Sequence, residues 1–140
     1  MRILLDTSIL VEAHPSHEQG LGWLKRVTSG DDEGVVAMHP LAELYAILTT
    51  LPVHPSISPA EAQRLIQNNV VQRLEVVALS AQDYARVIEL IAEIGIIGGV
   101  TYDALILHAA ANAKVDLVVT FNEKDFRRVY PNLANKIVSP

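Results

Sequence analysis

The sequence predicts a three-layer α/β/α fold around a central parallel sheet of four to five strands. Two observations lead there. Short, continuously apolar runs recur along the chain, and longer segments with helical apolar spacing separate them. A strand that is apolar at every position is buried on both faces, which requires helices above and below it. A third observation is length: 140 residues suffice for one domain with a sizeable core, and no repeat, low-complexity tract or composition break divides residues 1–140.

The elements follow in order. Arg2–Leu5 reads as a first buried strand, Gly34–Met38 as a second, Leu74–Ala78 as a third and Asp116–Thr120 as a fourth. Lys136–Val138 is a short fifth strand at an edge. Leu41, Leu44, Tyr45, Leu48 and Leu51 recur at helical spacing and form one stripe. Ser58-Pro59-Ala60-Glu61 reads as a helix start, with Ser58 as cap, Pro59 in the first turn and Glu61 completing a capping box. Ser80-Ala81-Gln82-Asp83 opens another helix in the same manner. Val87, Ile88, Ile91 and Ile94 continue its apolar spacing, and Gly95 ends it. Pro52, Pro55 and Pro59 bracket a loop.

Composition excludes several classes. Half of the residues are hydrophobic and 19% are charged, the balance of a globular chain rather than a disordered one. No apolar run reaches the length of a membrane span, so no membrane association is expected. The apolar start is too short for a signal peptide and Asp6 interrupts it, which makes the cytoplasm the default compartment. Without cysteines there are no disulfides and no thiolate metal sites. The formal net charge of -5 argues against a broad electrostatic grip on nucleic acid, though acids gathered to hold a metal contribute to that balance.

Sites in open α/β sheets form at the carboxyl ends of the strands, near the point where strand order reverses. Asp6-Thr7-Ser8 follows the first strand and Phe121-Asn122-Glu123-Lys124-Asp125 the fourth. Glu43 lies in the first turns of the helix after the second strand, and Asp103 in the first turn of the helix before the fourth. Parallel strands bring all of these to one end of the sheet. Each also has a plain structural reading. Asp6, Thr7 and Ser8 are good N-caps, Asp103 suits a helix N-terminus with Thr101 as its cap, Glu43 lies off an apolar stripe, and Asn122 with Asp125 resembles a capping arrangement.

The surroundings of Asp103 separate it from the rest. Residues 102–111 are apolar almost all round, the pattern of a buried helix, and no Lys or Arg occurs between Arg86 and Lys114. A buried carboxylate is costly unless paired or bound to a cation. Magnesium suits such a cluster, being a hard ion that takes one or two carboxylates together with waters and substrate phosphate. Carboxylates crowded without a cation repel, and some stay protonated.

The set Leu4-Leu5-Asp6-Thr7-Ser8-Ile9-Leu10, Glu43, Tyr102-Asp103-Ala104-Leu105-Ile106 and Val119-Thr120-Phe121-Asn122-Glu123-Lys124-Asp125-Phe126, in this order, resembles PIN-domain ribonucleases, and among them the VapC-type toxins. The resemblance covers nearly the whole chain and implies a single PIN-like domain with strand order 3-2-1-4-5. It implies Mg2+ or Mn2+, an RNA substrate, and hydrolysis that leaves a 5′-phosphate. It also implies a homodimer neutralised by a small cognate antitoxin. Asp6 and Asp103 match the family's metal-binding acids, Glu43 its second acid, and Thr120 a polar residue that supports the site. The chain departs from the pattern at Asn122, where many relatives have Asp. Asp125, one turn on, is then the candidate to supply the missing charge from behind the amide.

Other readings fit less well. A haloacid-dehalogenase-like phosphatase needs a second Asp two residues after the first, where Ser8 stands. A response-regulator receiver needs an acceptor Asp after the third strand, where Ala78-Leu79-Ser80 stands. Gly98-Gly99 is neither a dinucleotide nor a phosphate-loop motif, and no nucleophile elbow occurs. His14, His17, His39, His54 and His108 show no zinc spacing and are read as mostly loop or surface residues. The rival from another class is a catalytically silent PIN-like module that binds RNA or protein, favoured by Asn122 and by the acidic balance. Lys124, Arg127 and Arg128 are the candidate RNA contacts beside the site, while Lys25 and Arg26 read as ordinary surface.

Overall fold

The computed structural model describes residues 1–12 and 18–140. Arg2–Leu5 (β1), Glu33–Ala37 (β2), Glu75–Val77 (β3), Leu117–Val119 (β4) and Ile137–Val138 (β5) form one sheet in the order β3-β2-β1-β4-β5. Every pairing is parallel, with Leu4 opposite Val35 on one side and Val118 on the other. β1 is therefore central, and strand order reverses between β1 and β4. The expected second strand begins and ends one residue earlier than its apolar run suggests. Met38 turns out to solvent at 55% exposure once the run leaves the sheet.

Alternation along the strands builds two cores. Ile3, Leu5, Val36 and Val119 face Ile9, Val27, Leu44, Leu48, Val70 and Leu74. These come from the helices Thr7–Glu12 (α1), Glu18–Thr28 (α2), Pro40–Thr50 (α3) and the segment after Pro59–Ile66 (α4). Leu4, Val35, Ala37 and Val118 face the opposite layer, built from Ala81–Glu93 (α5), Val100–Asn112 (α6) and Glu123–Val129 (α7). Residues 104–110 of α6 are all buried, as its all-round apolar sequence requires.

The helix signals hold in part. Ser58 Oγ accepts from the Glu61 N–H at 3.1 Å, and Ser80 with Asp83 forms a full capping box. Gly95 closes α5 with a φ of +75°, a conformation that favours glycine. The expected stripes are narrower than drawn. On α3, Leu44 and Leu48 are buried, whereas Tyr45 is 40% exposed; on α5, Val87 and Ile91 are buried, whereas Ile88 and Ile94 stand out to solvent. One sheet face takes up only a narrow arc of each helix. Thr101 does not cap α6, whose N-cap is Gly99. No helix is long and apolar enough to cross a membrane among the described residues. The loop placed around His14 and His17 lies outside the described residues.

Gly34 in β2 lies where α2 and the chain before β3 press on the sheet. A Cβ there would meet the Val27 Cβ at 2.9 Å and overlap the Leu74 side chain. Gly34→Ala is expected to destabilise the protein by about 1–3 kcal/mol, read as a lower denaturation midpoint with unchanged slope. An unchanged midpoint would mean that the two layers yield at no cost.

Candidate functional site

The site is assembled at the strand-order reversal. Asp6 leaves the end of β1, and its N–H donates to the Val119 carbonyl of β4 at 3.1 Å. Asp6 is buried, only 6% exposed. Oδ1 accepts from the Thr7 N–H at 2.7 Å, while Oδ2 accepts from the Ser8 and Thr120 hydroxyls, each at 2.7 Å. Thr120, fully buried, accepts in turn from the Asn122 N–H at 2.9 Å, and Ser8 Oγ from the Phe121 N–H at 3.2 Å. Two chain segments far apart in sequence are thus locked around one carboxylate, which leaves it little freedom to rotate.

A cleft of about 390 Å³ opens beside this clasp, lined by Asp6, Thr7, Ser8, Val11, Glu43, Ile47, Tyr102, Asp103, Ile106, Phe121 and Asn122. The three acids Asp6, Glu43 and Asp103 and the amide Asn122 are therefore brought together. Asp125 is not on the wall. It stands close enough to raise the pKa of Asp103, and its Oδ1 accepts from Arg128 at 3.5 Å. The Asn122 side chain does not cap α7; its Nδ2 donates to Asp103 Oδ2 at 3.3 Å.

The electrostatics are those of a crowded anionic site. Asp103 is pushed up to about 7 by burial, with Asp6, Asp125 and Glu43 adding to the rise and the Asn122 amide opposing it. Glu43 is raised by its own burial and by Asp6. No Lys or Arg lines the cleft. Arg127 is committed elsewhere, donating to the Ile137 carbonyl at 2.8 Å and pairing with Glu123 at 3.3 Å. Arg26 pairs with Asp32 at 2.7 Å and lies over the Trp23 ring. Lys124 and Arg128 are exposed outside the cleft.

A divalent cation fits this donor set. Among the described residues, oxygen donors converge without a balancing cation, and the Thr7 Oγ1 on the cleft wall is buried without a hydrogen-bond partner. Among the described residues no three His, Asp or Glu side chains close tightly enough to grip an ion by themselves. The fit is to an ion that keeps several waters, as magnesium does.

His39 is the residue that sequence reasoning missed. Read as a loop histidine, it stands at the start of α3 with Nε2 buried, unpartnered and 3.6 Å from Glu43 Oε1. Burial lowers its pKa and Asp6 opposes that. The signal was its i,i+4 relation to Glu43 across a helix start at Pro40. His108 is also internal: its Nε2 meets Asp83 Oδ1 at 3.1 Å, joining α6 to α5. The Ser80 backbone N–H, His108 and the Ser80 hydroxyl together hold Asp83 down to about 2.

Comparison with known proteins agrees with this geometry. The family model described as PIN domain matches residues 3–131. Ribonuclease VapC27 of Mycobacterium tuberculosis is 31% identical over 119 residues, 82% of this chain and 81% of that protein. Ribonuclease VapC40 of the same species is 31% identical over 129 residues, 89% and 87% of the two chains. Among solved structures, VapBC2 from Rickettsia felis bound to a promoter DNA fragment superposes with a TM-score of 0.71 at 25% identity, covering 100% of this chain and 99% of that one. VapBC-1 from nontypeable Haemophilus influenzae shares the fold with a TM-score of 0.65 at 21% identity, covering 94% of each chain.

The raised Asp103 has a signed consequence. Its ordinary value is 3.8 and its folded value about 7, so the folded protein holds this proton more tightly than the unfolded chain does. The stability this contributes is present below about pH 4 and is lost as pH rises through about 7. In EDTA, Asp103→Asn should therefore melt higher than the parent above pH 7, with the gap closing towards pH 4. A gap independent of pH would contradict the crowding of acids around Asp103.

Proposed function

The chain belongs to the PIN-domain family, and on that footing we propose that it is a metal-dependent ribonuclease that hydrolyses RNA phosphodiester bonds as the toxin of a toxin–antitoxin pair. The single observation that carries the reading is the cleft in which Asp6, Glu43 and Asp103 face one another with no Lys or Arg on its wall. The ribonuclease names of the relatives and the toxin–antitoxin assemblies among the fold neighbours support the same conclusion. A cognate antitoxin, a second copy of the chain and RNA are the proposed partners.

Asp6, Asp103 and Glu43 are the proposed holders of the ion, Mg2+ or Mn2+, with Asn122 contributing an amide oxygen or a water contact and Asp125 acting through Asp103. A bound divalent ion supplies charge neutralisation at the phosphoryl group and a water activated for attack. The protein's part is positional. The clasp from Thr7, Ser8 and Thr120 holds Asp6 in one orientation. The free Thr7 hydroxyl has a donor and acceptor to offer a phosphate oxygen or a water. Attack by water leaves the phosphate on the 5′ end and a hydroxyl on the 3′ end.

Purified protein should cleave RNA with magnesium and lose activity in EDTA. Asp6→Asn and Asp103→Asn should each abolish cleavage while the fold is kept. The cut ends should carry 5′-phosphate. A 2′,3′-cyclic phosphate would instead indict His39 as a base acting on the ribose hydroxyl. Metal binding without cleavage of any RNA would favour the silent binding module.

Lys124, Arg127 and Arg128 are the proposed contacts to flanking phosphates, with Arg127 the weakest of the three because its guanidinium already donates to the Ile137 carbonyl. Arg128→Glu should weaken RNA binding and flatten its salt dependence by about one ion. Arg127→Glu should chiefly lower the melting temperature. Equal salt slopes in the parent and Arg128→Glu would exclude Arg128.

A further inference from the structure

Half of the cleft wall is unused by the chemistry above. Tyr102 and Phe121 line it and keep 56% and 41% of their surface exposed. Val11, Ile47 and Ile106 also line the cleft and add apolar surface to it. The acids thus share their cleft with a hydrophobic surface bearing two rings.

Both rings spring from backbone that the site itself positions. Tyr102 projects from the first turn of α6, one residue before Asp103, and its ring lies 6.1 Å from that of His39 at a 38° tilt. Phe121 follows β4 directly, and its N–H is tied to Ser8 Oγ at 3.2 Å. The backbone carrying each ring is therefore placed beside the acids.

The charge balance says what such a surface is for. The wall offers a polyanion no Lys or Arg, and the chain carries a net charge of -5. Inside the cleft, affinity beyond that of the ion and of Lys124 and Arg128 outside it must come from groups that do not contact phosphate. Every nucleobase has a face that stacks on an aromatic ring whatever its identity, but the base must first be unpaired. Resting on the ribonuclease reading, we infer that Tyr102 and Phe121 form a base-stacking subsite that receives an unpaired nucleobase of single-stranded RNA next to the phosphate to be cut. Duplex RNA keeps its bases inside the stack and cannot use the subsite. Stacking thereby adds a preference for unpaired segments to the charge contacts of Lys124 and Arg128 outside the cleft.

The test is binding of a short fluorescent single-stranded RNA to the full chain, with Ca2+ in place of Mg2+ to suppress cleavage, beside single-turnover cleavage in Mg2+. Tyr102→Ala and Phe121→Ala should each weaken single-strand binding by roughly tenfold, while Tyr102→Phe and Phe121→Trp retain it. Weak binding of the corresponding duplex and Mn2+ affinity measured without RNA should not change. An abasic nucleotide moved along the strand should cost the parent affinity at one position and cost the Phe121→Ala variant little further there. Single-strand affinity unchanged in both alanine variants, or an equal loss on duplex RNA, overturns the subsite. If the parent cleaves RNA while the variants bind as it does, only the stacking inference falls. If the parent neither binds nor cleaves RNA with any divalent ion, the ribonuclease reading falls and this inference with it.

Discussion

The seam between β1 and β4 is the constraint on which the site depends. These two strands are neighbours in the sheet although Asp6 and Thr120 are 114 residues apart. In a parallel sheet the neighbouring carboxyl ends emerge side by side, and the reversal of strand order leaves a gap there that no crossing helix fills. Asp6 closes the bottom of that gap with bonds from both segments. Because Thr120 also receives the Asn122 N–H, the clasp sets the path of the chain into α7. The Asp6 carboxylate and the backbone of Phe121 and Asn122 are positioned by the same few bonds.

Charge is distributed along the strand axis. At the amino end of β1, Arg2 pairs with Glu33 at 2.9 Å and Glu75 at 2.8 Å, and its backbone N–H donates to Asp116 at 2.8 Å. Carboxylates at that end are matched by a cation and take up structural duty on the surface, where such pairs stabilise little. At the carboxyl end the acids face one another instead. A fold that satisfies its acids at one end and leaves them crowded at the other keeps a local electrostatic instability at the crowded end. α6 tolerates this because its middle is fully buried and His108 fastens it to Asp83 of α5, away from the crowded turn that bears Asp103.

The segment after β4 shows where single residues stop being readable. Asn122, Lys124, Asp125, Arg127 and Arg128 fall within seven positions, and a short helix points successive side chains in different directions. The amide at Asn122 turns to Asp103, Asp125 to Arg128, and Arg127 back to the Ile137 carbonyl of β5. Spacing within the segment is the same for a capping arrangement and for a site, so the local pattern held no preference between them. His39 was obscured for a related reason. A histidine before a proline reads as a loop residue until the helix behind it brings Glu43 round onto the same face.

Legible in the sequence were those features carried by local pattern. Continuous apolar runs mark strands buried on both faces, all-round apolarity marks α6 as internal, and Ser80 with Asp83 writes a helix start. The order of the acidic motifs, placed at strand ends, was enough to put Asp6, Glu43 and Asp103 at one end of the sheet. The tertiary structure decided what depends on distances between segments. It put Thr120 and Ser8 on one oxygen of Asp6, kept Arg127 from the cleft, and set Tyr102 and Phe121 on its rim. Hydrogen bonds and charge effects act over a few ångströms in space, and a sequence records only neighbours along the chain, so partners 19 or 114 residues away become visible only when the sheet brings them together.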